Sequence, residues 1–321
     1  MKKIFFSLMS LFMLTLVACK QNDAPATTNP TVEETVDNYK MTIASPGGAP
    51  AISIATLIND YKDEYTYTPN LEPQALKPLF QKKEMDAIFA PVNMGATLYS
   101  KTQGYQLGAV VTWGNLYIAS QKPDFKLEDL NNMPLTIFSE KSVNDAIVKK
   151  ILDEKNLKPT EIKYLGDAKA TQQQLIADKD GNEAYLVAEP SLTVAKSKKP
   201  NITSISVQNL YKEVSGNKEF AQAGVFINVN TIRNHKSVVD KFLTRLKESC
   251  DITKEDTAKA ADNAILLGGF PPKEALAKAI PNCNIKYASA INSKESIEGL
   301  VELNPGYFGG AKPVDEFYYE G

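Results

Sequence analysis

Arginine is almost missing from this chain: of 36 basic side chains only Arg233 and Arg245 are arginines, and both fall in one late helical stretch. No guanidinium fork is therefore expected elsewhere to clamp a carboxylate or phosphate. Histidine is scarcer, with His235 alone among polar neighbours at a helix start, where it reads as solvated surface. Three cysteines without a CxxC, beside that single histidine, exclude a transition-metal site built from His and Cys, so no metal is expected. GxSxG, HExxH, EF-hand and CxxCH patterns do not occur, and the matching hydrolase, zinc-protease, calcium and haem chemistries go with them. Beyond the first 18 residues no apolar run is long enough to span a bilayer, which takes about 20 residues. An excess of one charge is lacking too. The formal net charge is −2, and losing Lys2 and Lys3 lowers it by two, to −4. A mildly acidic body is a poor partner for nucleic acid or for wide contact with anionic lipid.

What is present begins at the amino end. Lys2 and Lys3 precede 15 uncharged residues, 4–18, that end in Leu16-Val17-Ala18-Cys19. A positive start followed by an apolar run of that length is an export signal rather than a spanning helix. The Leu-Val-Ala-Cys tail resembles the lipobox of bacterial lipoproteins, which implies a signal peptide at 1–18, cleavage before Cys19 and a lipid on its sulfur. Residues 20–38 hold no aromatic side chain and only two valines, too little to order themselves, so 19–38 reads as a lipidated flexible tether. A lipid at Cys19 would be the only membrane anchor and would place the body on the extracytoplasmic face.

The remaining 300 or so residues are enough for two domains of ordinary size. Strand and helix patterns alternate: strands at 40–45, 65–68 and 87–90, helices at 49–61, 73–83 and 93–101, then a long β-like run over 106–120. The pattern restarts with strands at 135–138, 162–165, 184–188 and 202–207 and helices at 142–156, 170–178 and 191–197. An apolar strand at 224–230 leads into helices at 232–249 and 256–267. Repeated βα units predict mostly parallel sheets in two copies. Cys250 and Cys283 allow either one disulfide, closing a loop of about 30 residues and adding about 3 kcal/mol, or two separate buried thiols.

In open α/β sheets, ligands sit where strands end and helices begin. Four such junctions carry unusual residues. Gly47, Gly48 and Ala49 allow close backbone approach, and Pro50 fits a first helical turn whose free N–H groups favour an acceptor or anion. Asn93, after Ala90-Pro91-Val92, can cap its helix or donate to a ligand. Ser139, Ser142 and Val143 precede a helix in which Ser142 and Asp145 resemble a capping box. Glu189, after the apolar run 184–188, is costly to bury without a partner and is expected to face a pocket. Trp113, the only tryptophan, is followed by Gly114 and Asn115, poor strand formers. That pattern fits either core packing or a site of close approach.

Taken in order, SPGGAPA, MDAIFAPVNMGATLY, VTWGNLYIAS, AYLVAEPS and GVFIN resemble the solute-binding lipoproteins of ABC importers, in the group related to nitrate, sulfonate and thiamine-precursor binding proteins. The resemblance spans about residues 39–230. It implies a two-lobed Venus-flytrap α/β fold, with lobe one at 39–120 and 223–321, lobe two at 121–222, and crossings at 117–121 and 222–226. It further implies hinge closure around a small-molecule ligand, delivery to an ABC permease with its ATPase, a monomer, and no cofactor. Carried residue by residue, ligand contacts would come from Gly47, Gly48, Ala49, Asn93, Trp113 and Asn115, and from Ser139, Ser142, Val143 and Glu189. Missing cleft arginines and the acidic Ala188-Glu189-Pro190 depart from the sulfonate and nitrate binders. They favour an aromatic or amine-bearing solute on Trp113 and Glu189, a pyrimidine-like vitamin precursor being the specific expectation. Enzymes on the same fold act in the cytoplasm, and one kind depends on histidine and clustered cysteines, so no enzyme activity is expected. A ligand sensor serving a membrane receptor is the alternative to import.

Overall fold

The computed structural model describes residues 38–321. The signal peptide, Cys19 and all but the last residue of the tether lie outside them. Residues 38–321 form one compact unit.

The chain alternates as expected through β1 (Met41–Pro46), α1 (Ala49–Asp60), β2 (Tyr65–Leu71), α2 (Pro73–Lys82), β3 (Ala87–Pro91), α3 (Val92–Thr102) and β4 (Tyr105–Trp113). It continues through β5 (Leu116–Ser120), β6 (Leu135–Phe138), α4 (Val143–Glu154), β7 (Ile162–Leu165), α5 (Ala168–Ala177), β8 (Ala184–Ala188), α6 (Ser191–Lys198), β9 (Thr203–Ser206) and α7 (Val207–Val214). It ends with β10 (Ala221–Asn228), α8 (Val229–Asn234), α9 (Lys236–Glu255), α10 (Thr257–Leu266), α11 (Lys273–Ala279), β11 (Ile285–Ser289) and α12 (Ala290–Leu303). Two sheets result, in the orders β11-β4-β10-β3-β1-β2 and β7-β6-β8-β5-β9.

The two sheets flanked by helices match the expected class, but their pairing is mixed rather than mostly parallel. β1 runs parallel to β2 and β3, whereas β10 is antiparallel to β3 and β4, and β11 to β4. In the second sheet β6 is parallel to β7 and β8, while β5 is antiparallel to β8 and β9. Of the antiparallel members, β5 and β10 receive the chain as it passes between sheets, whereas β11 pairs antiparallel within the first sheet.

The long run 106–120 breaks at Gly114-Asn115, with β4 in the first sheet and β5 in the second. The passage between sheets thus precedes the expected crossing at 117–121. The return comes through Phe220 into β10.

Alternate residues of each strand face opposite sides, which sorts the apolar ones into separate cores. Ala87, Phe89, Val225 and Ile227 join α1 and α9 on one face of the first sheet. Ile88, Ala90 and Phe226 lie on the other face, in a core that continues through Trp113, Leu116 and Phe220 into Ile118, Leu135 and Leu186 of the second sheet. One hydrophobic core therefore bridges both sheets, and Trp113 is part of the bridge.

At the start of β1 a buried carboxylate replaces apolar packing. Asp86, 6% exposed, accepts hydrogen bonds from the Tyr39, Thr42 and Thr231 hydroxyls and from the Thr42 N–H. A buried charge is tolerated when donors replace its water.

Cys250 and Cys283 are separate buried thiols, not a disulfide. Burial pushes both thiols above their ordinary range, which makes them inert. In a Cys19→Ser protein without reductant, a thiol reagent should label neither cysteine in the native state and both after denaturation. Absence of label after denaturation would restore the disulfide.

Candidate ligand-binding site

A cavity of about 500 Å³ opens where the strands of both sheets end and their helices begin. Gly47, Gly48, Ala49 and Pro50 bring the start of α1 to it, and Pro91, Val92, Asn93 and Met94 the start of α3. From the second sheet come Phe138, Ser139, Ser142, Val143 and Asn144 before and in α4, then Ala188, Glu189, Pro190 and Ser191 at the start of α6. Asn115, Phe220, Ala221 and Gln222 of the two passages complete it, with Ala168 of α5.

Each wall has a local cause. Gly48 is the residue preceding α1, with φ 78° and ψ −146°, a region essentially confined to glycine. A Cβ there would sit 3.9 Å from the Pro190 ring, so the two walls nearly touch along this edge. The helix before Asn93 already starts at Val92, with no side-chain cap. Asn93 is thus a first-turn residue rather than a cap, and its carboxamide has no hydrogen-bond partner among the described residues. Ser142 does cap α4, accepting the Asp145 N–H at 3.4 Å, while Asp145 reaches back to the Lys141 N–H at 3.2 Å. Ser139 and Lys141 hold positive φ of 61° and 56°, an uncommon conformation for such residues.

Glu189 is 4% exposed, and its side chain has a protein partner. Its carboxylate accepts the Thr193 N–H at 3.0 Å and the Thr193 hydroxyl at 2.9 Å. The carboxylate thus satisfies the first turn of α6 and complements its dipole. Burial raises the Glu189 carboxyl above its ordinary value, and the two Thr193 bonds oppose that rise. Nearby Tyr117 is pushed up to about 12, by burial first and by Glu189 second.

Of the ten expected ligand contacts, nine line the cavity, and Trp113 does not. Trp113 is 5% exposed; its Nε1 donates to the Lys286 carbonyl at 2.9 Å and the Lys286 ammonium sits 4.4 Å from its ring centre. The expected stacking partner thus lies outside this cavity, its ring packed in the core and against β11. Phe138 and Phe220 are the aromatic side chains at the cavity, and both were missed because each reads as ordinary strand or loop packing. Gln222 was also missed, since a glutamine at the start of an apolar strand carries no motif.

Among the described residues no lysine or arginine lines the cavity. Arg245 instead bonds Glu64 at 2.9 Å and lies over the Tyr61 ring. No cluster of three or more His, Cys, Asp or Glu that could hold a metal occurs among the described residues. The cavity can offer hydrogen-bond donors from helix starts and amides, between apolar walls.

Solved structures share this fold. An ABC transporter protein from Parabacteroides distasonis is 22% identical, with a TM-score of 0.76 over 88% of this chain and 99% of that one. The ligand-binding component of an ABC-type import system from Staphylococcus aureus, with zinc bound, is 13% identical (TM-score 0.69; 88% and 96% covered). The periplasmic aliphatic sulphonate binding protein of Escherichia coli is also 13% identical (TM-score 0.65; 88% and 92% covered). This chain shares the fold of those three structures. No protein-family model matches the sequence, and no curated protein does. Within this fold, the cavity occupies the junction of the two sheets, built from both of them and from the passages between.

Two predictions follow from the geometry. Gly48→Ala should lower stability by about 1–3 kcal/mol in urea unfolding, the cost of a disfavoured backbone region; an unchanged midpoint would show that the loop relaxes freely. A carboxyl raised by folding stabilises fully below its ordinary value of 4.5 and loses that contribution as pH climbs through its folded value. The stability of the native protein relative to Glu189→Gln should therefore decline as pH rises through that window. A difference that is flat with pH, or that grows, contradicts a raised carboxyl.

Proposed function

We propose that this protein is an extracytoplasmic solute-binding lipoprotein, anchored by a lipid on Cys19, that captures a small organic molecule and delivers it to an ABC import permease. The observation that carries this reading is the cavity itself. It is large enough for a small metabolite, lined from both sheets, and furnished with helix-start donors and amides, and no metal-holding cluster occurs among the described residues. The lobes would be the two sheets with their helices, meeting at Gly114-Asn115 and Phe220–Gln222, and closure would bury the ligand between them. Ligand contacts would come from Gly47, Gly48, Ala49, Asn93, Asn115, Ser139, Ser142 and Val143, with Glu189 shaping the wall through α6.

Without lysine or arginine in the cavity, a strongly anionic solute has no full charge to pair with. Glu189, engaged with Thr193, is a weak candidate for a ligand ammonium. An uncharged organic solute between Phe138 and Phe220 fits these surfaces. The tether of about 20 residues would give the body a reach of tens of ångströms by random-coil scaling, enough to leave and rejoin a transporter.

Native mass spectrometry should show one small molecule per chain and no turnover of it, with a thermal-shift panel to identify its class. Asn93→Ala should weaken binding by about 1 kcal/mol, the scale of one hydrogen bond, and Trp113→Phe should leave affinity unchanged. Binding of polyanions or metal ions alone would remove the organic-solute reading. Cys19→Ser should release the protein from membranes; retention would mean another anchor.

A further inference from the structure

Among the described residues exposed large apolar side chains are few, and two of them are neighbours: Ile265, 38% exposed, and Leu266, 73% exposed. They end α10 and open the run Ile265-Leu266-Leu267-Gly268-Gly269-Phe270-Pro271-Pro272, which turns the chain back into α11 without one charged or polar side chain. Gly268 and Gly269 hold positive φ of 77° and 78°, which glycine adopts without strain. Leu267 and Phe270 pack against the core shared with α1 and α9, so the loop is rooted while Leu266 is displayed outward. The nearest charges on either side, Asp262 and Lys273, pair with each other at 2.6 Å and cancel. A lone exposed leucine is ordinary, but a rooted apolar tip without charge is a surface that needs covering.

Its place in the fold says what covers it. Helix α1 starts at the cavity and ends at Asp60, away from it. Asn59 Nδ2 donates to the Asn263 carbonyl at 2.8 Å, which sets the end of α10 beside the last turn of α1. Just beyond that turn, the Glu64 carbonyl accepts the Met41 N–H at 3.2 Å. β1 therefore begins at the same end, and the chain coming from Cys19 enters the body there. Tyr39 packs against the same core as Leu267 and Phe270. A lipid on Cys19, about 20 residues ahead, would hold this end within tens of ångströms of the bilayer. Acyl chains cover apolar side chains and ask for neither charge nor hydrogen bonds. We propose that the tip formed by residues 265–272 is a membrane-contact site that dips into the bilayer beside the anchor. The proposal rests on the lipid-anchor reading above. It adds an orientation: with α1 pointing its far end at the lipid, the cavity is held outward, where solute arrives.

The test labels Leu266→Cys with an environment-sensitive fluorophore in the full lipoprotein. Cys250 and Cys283 are buried thiols and take no label in the native state. The labelled protein is incorporated into vesicles of plain phosphatidylcholine, and into vesicles of phosphatidylcholine carrying a nitroxide high on its acyl chain. Emission from position 266 should be lost with the nitroxide lipid. Emission from Ile291→Cys, an exposed site on α12 at the other face of the first sheet, should be retained. High salt should leave the loss unchanged, because the tip carries no net charge. Adding Ile265→Ser should reduce it; an unchanged loss would mean that the dye inserts by itself, and would overturn the proposal. So would equal quenching at both positions, quenching abolished by salt, or none at position 266 in vesicle-bound protein. A 266 signal that shifts only with protein concentration would assign the tip to a second copy instead, and would overturn the lipid contact. All of these leave the anchor standing. Failure of the lipoprotein to join the vesicles at all would overturn the anchor reading, and the membrane contact with it.

Discussion

Gly114 cannot carry a side chain, and much of the architecture turns on that. A Cβ there would lie 2.2 Å from the Phe220 ring and from Gln208 Oε1, so the two passages between sheets run too close for anything but hydrogen. That closeness lets the Gly114 N–H reach the Phe220 carbonyl and the Asn115 N–H reach Gln222. It also lets one hydrophobic core run unbroken from Ile88 to Leu186. The two passages are thereby tied to each other by hydrogen bonds and flanked by packed apolar groups.

The electrostatic character of the cavity follows from what surrounds it. Helices α1, α3, α4 and α6 all begin at its wall, presenting partial positive charge without a single cation. Glu189 offsets that character at α6 by bonding Thr193, which leaves the other three starts, Asn93 and Gln222 to supply donors. Fixed dipoles of this kind need little rearrangement when a ligand arrives. They also attract full anions less than guanidinium groups would.

Much of the fold was legible because alternating strand and helix patterns are local signals, and the glycine turn and capping serine announce backbone needs directly. Gly48 and Ser142 stand where the local chemistry of turn and cap placed them. The break at Gly114 was hidden inside an apolar run, since apolar patterning is the same on either side of it. Trp113 misled for a related reason. A lone tryptophan beside Gly and Asn suggests a site, yet its fate depends on Lys286 and Phe220, distant in sequence and invisible to spacing. Glu189 was expected at a pocket and does line one, but its partner four residues on, Thr193, could have been read from Glu-Pro-Ser-Leu-Thr as a turn-capping pair. Asn115 and Gln222 meet only because the two passages meet, so no local motif could announce their pairing.

The Asp86 cluster ties Tyr39, Thr42 and Thr231 together at the end of β1 remote from the cavity. β1 lies between β2 and β3 within its sheet. A pull on the chain ahead of Tyr39, directed along β1, would therefore load two ladders of hydrogen bonds in shear rather than peel an edge strand away one bond at a time. The entry point behaves as a mechanical clamp, and tension there is borne by the first sheet before it reaches the walls that hold a ligand.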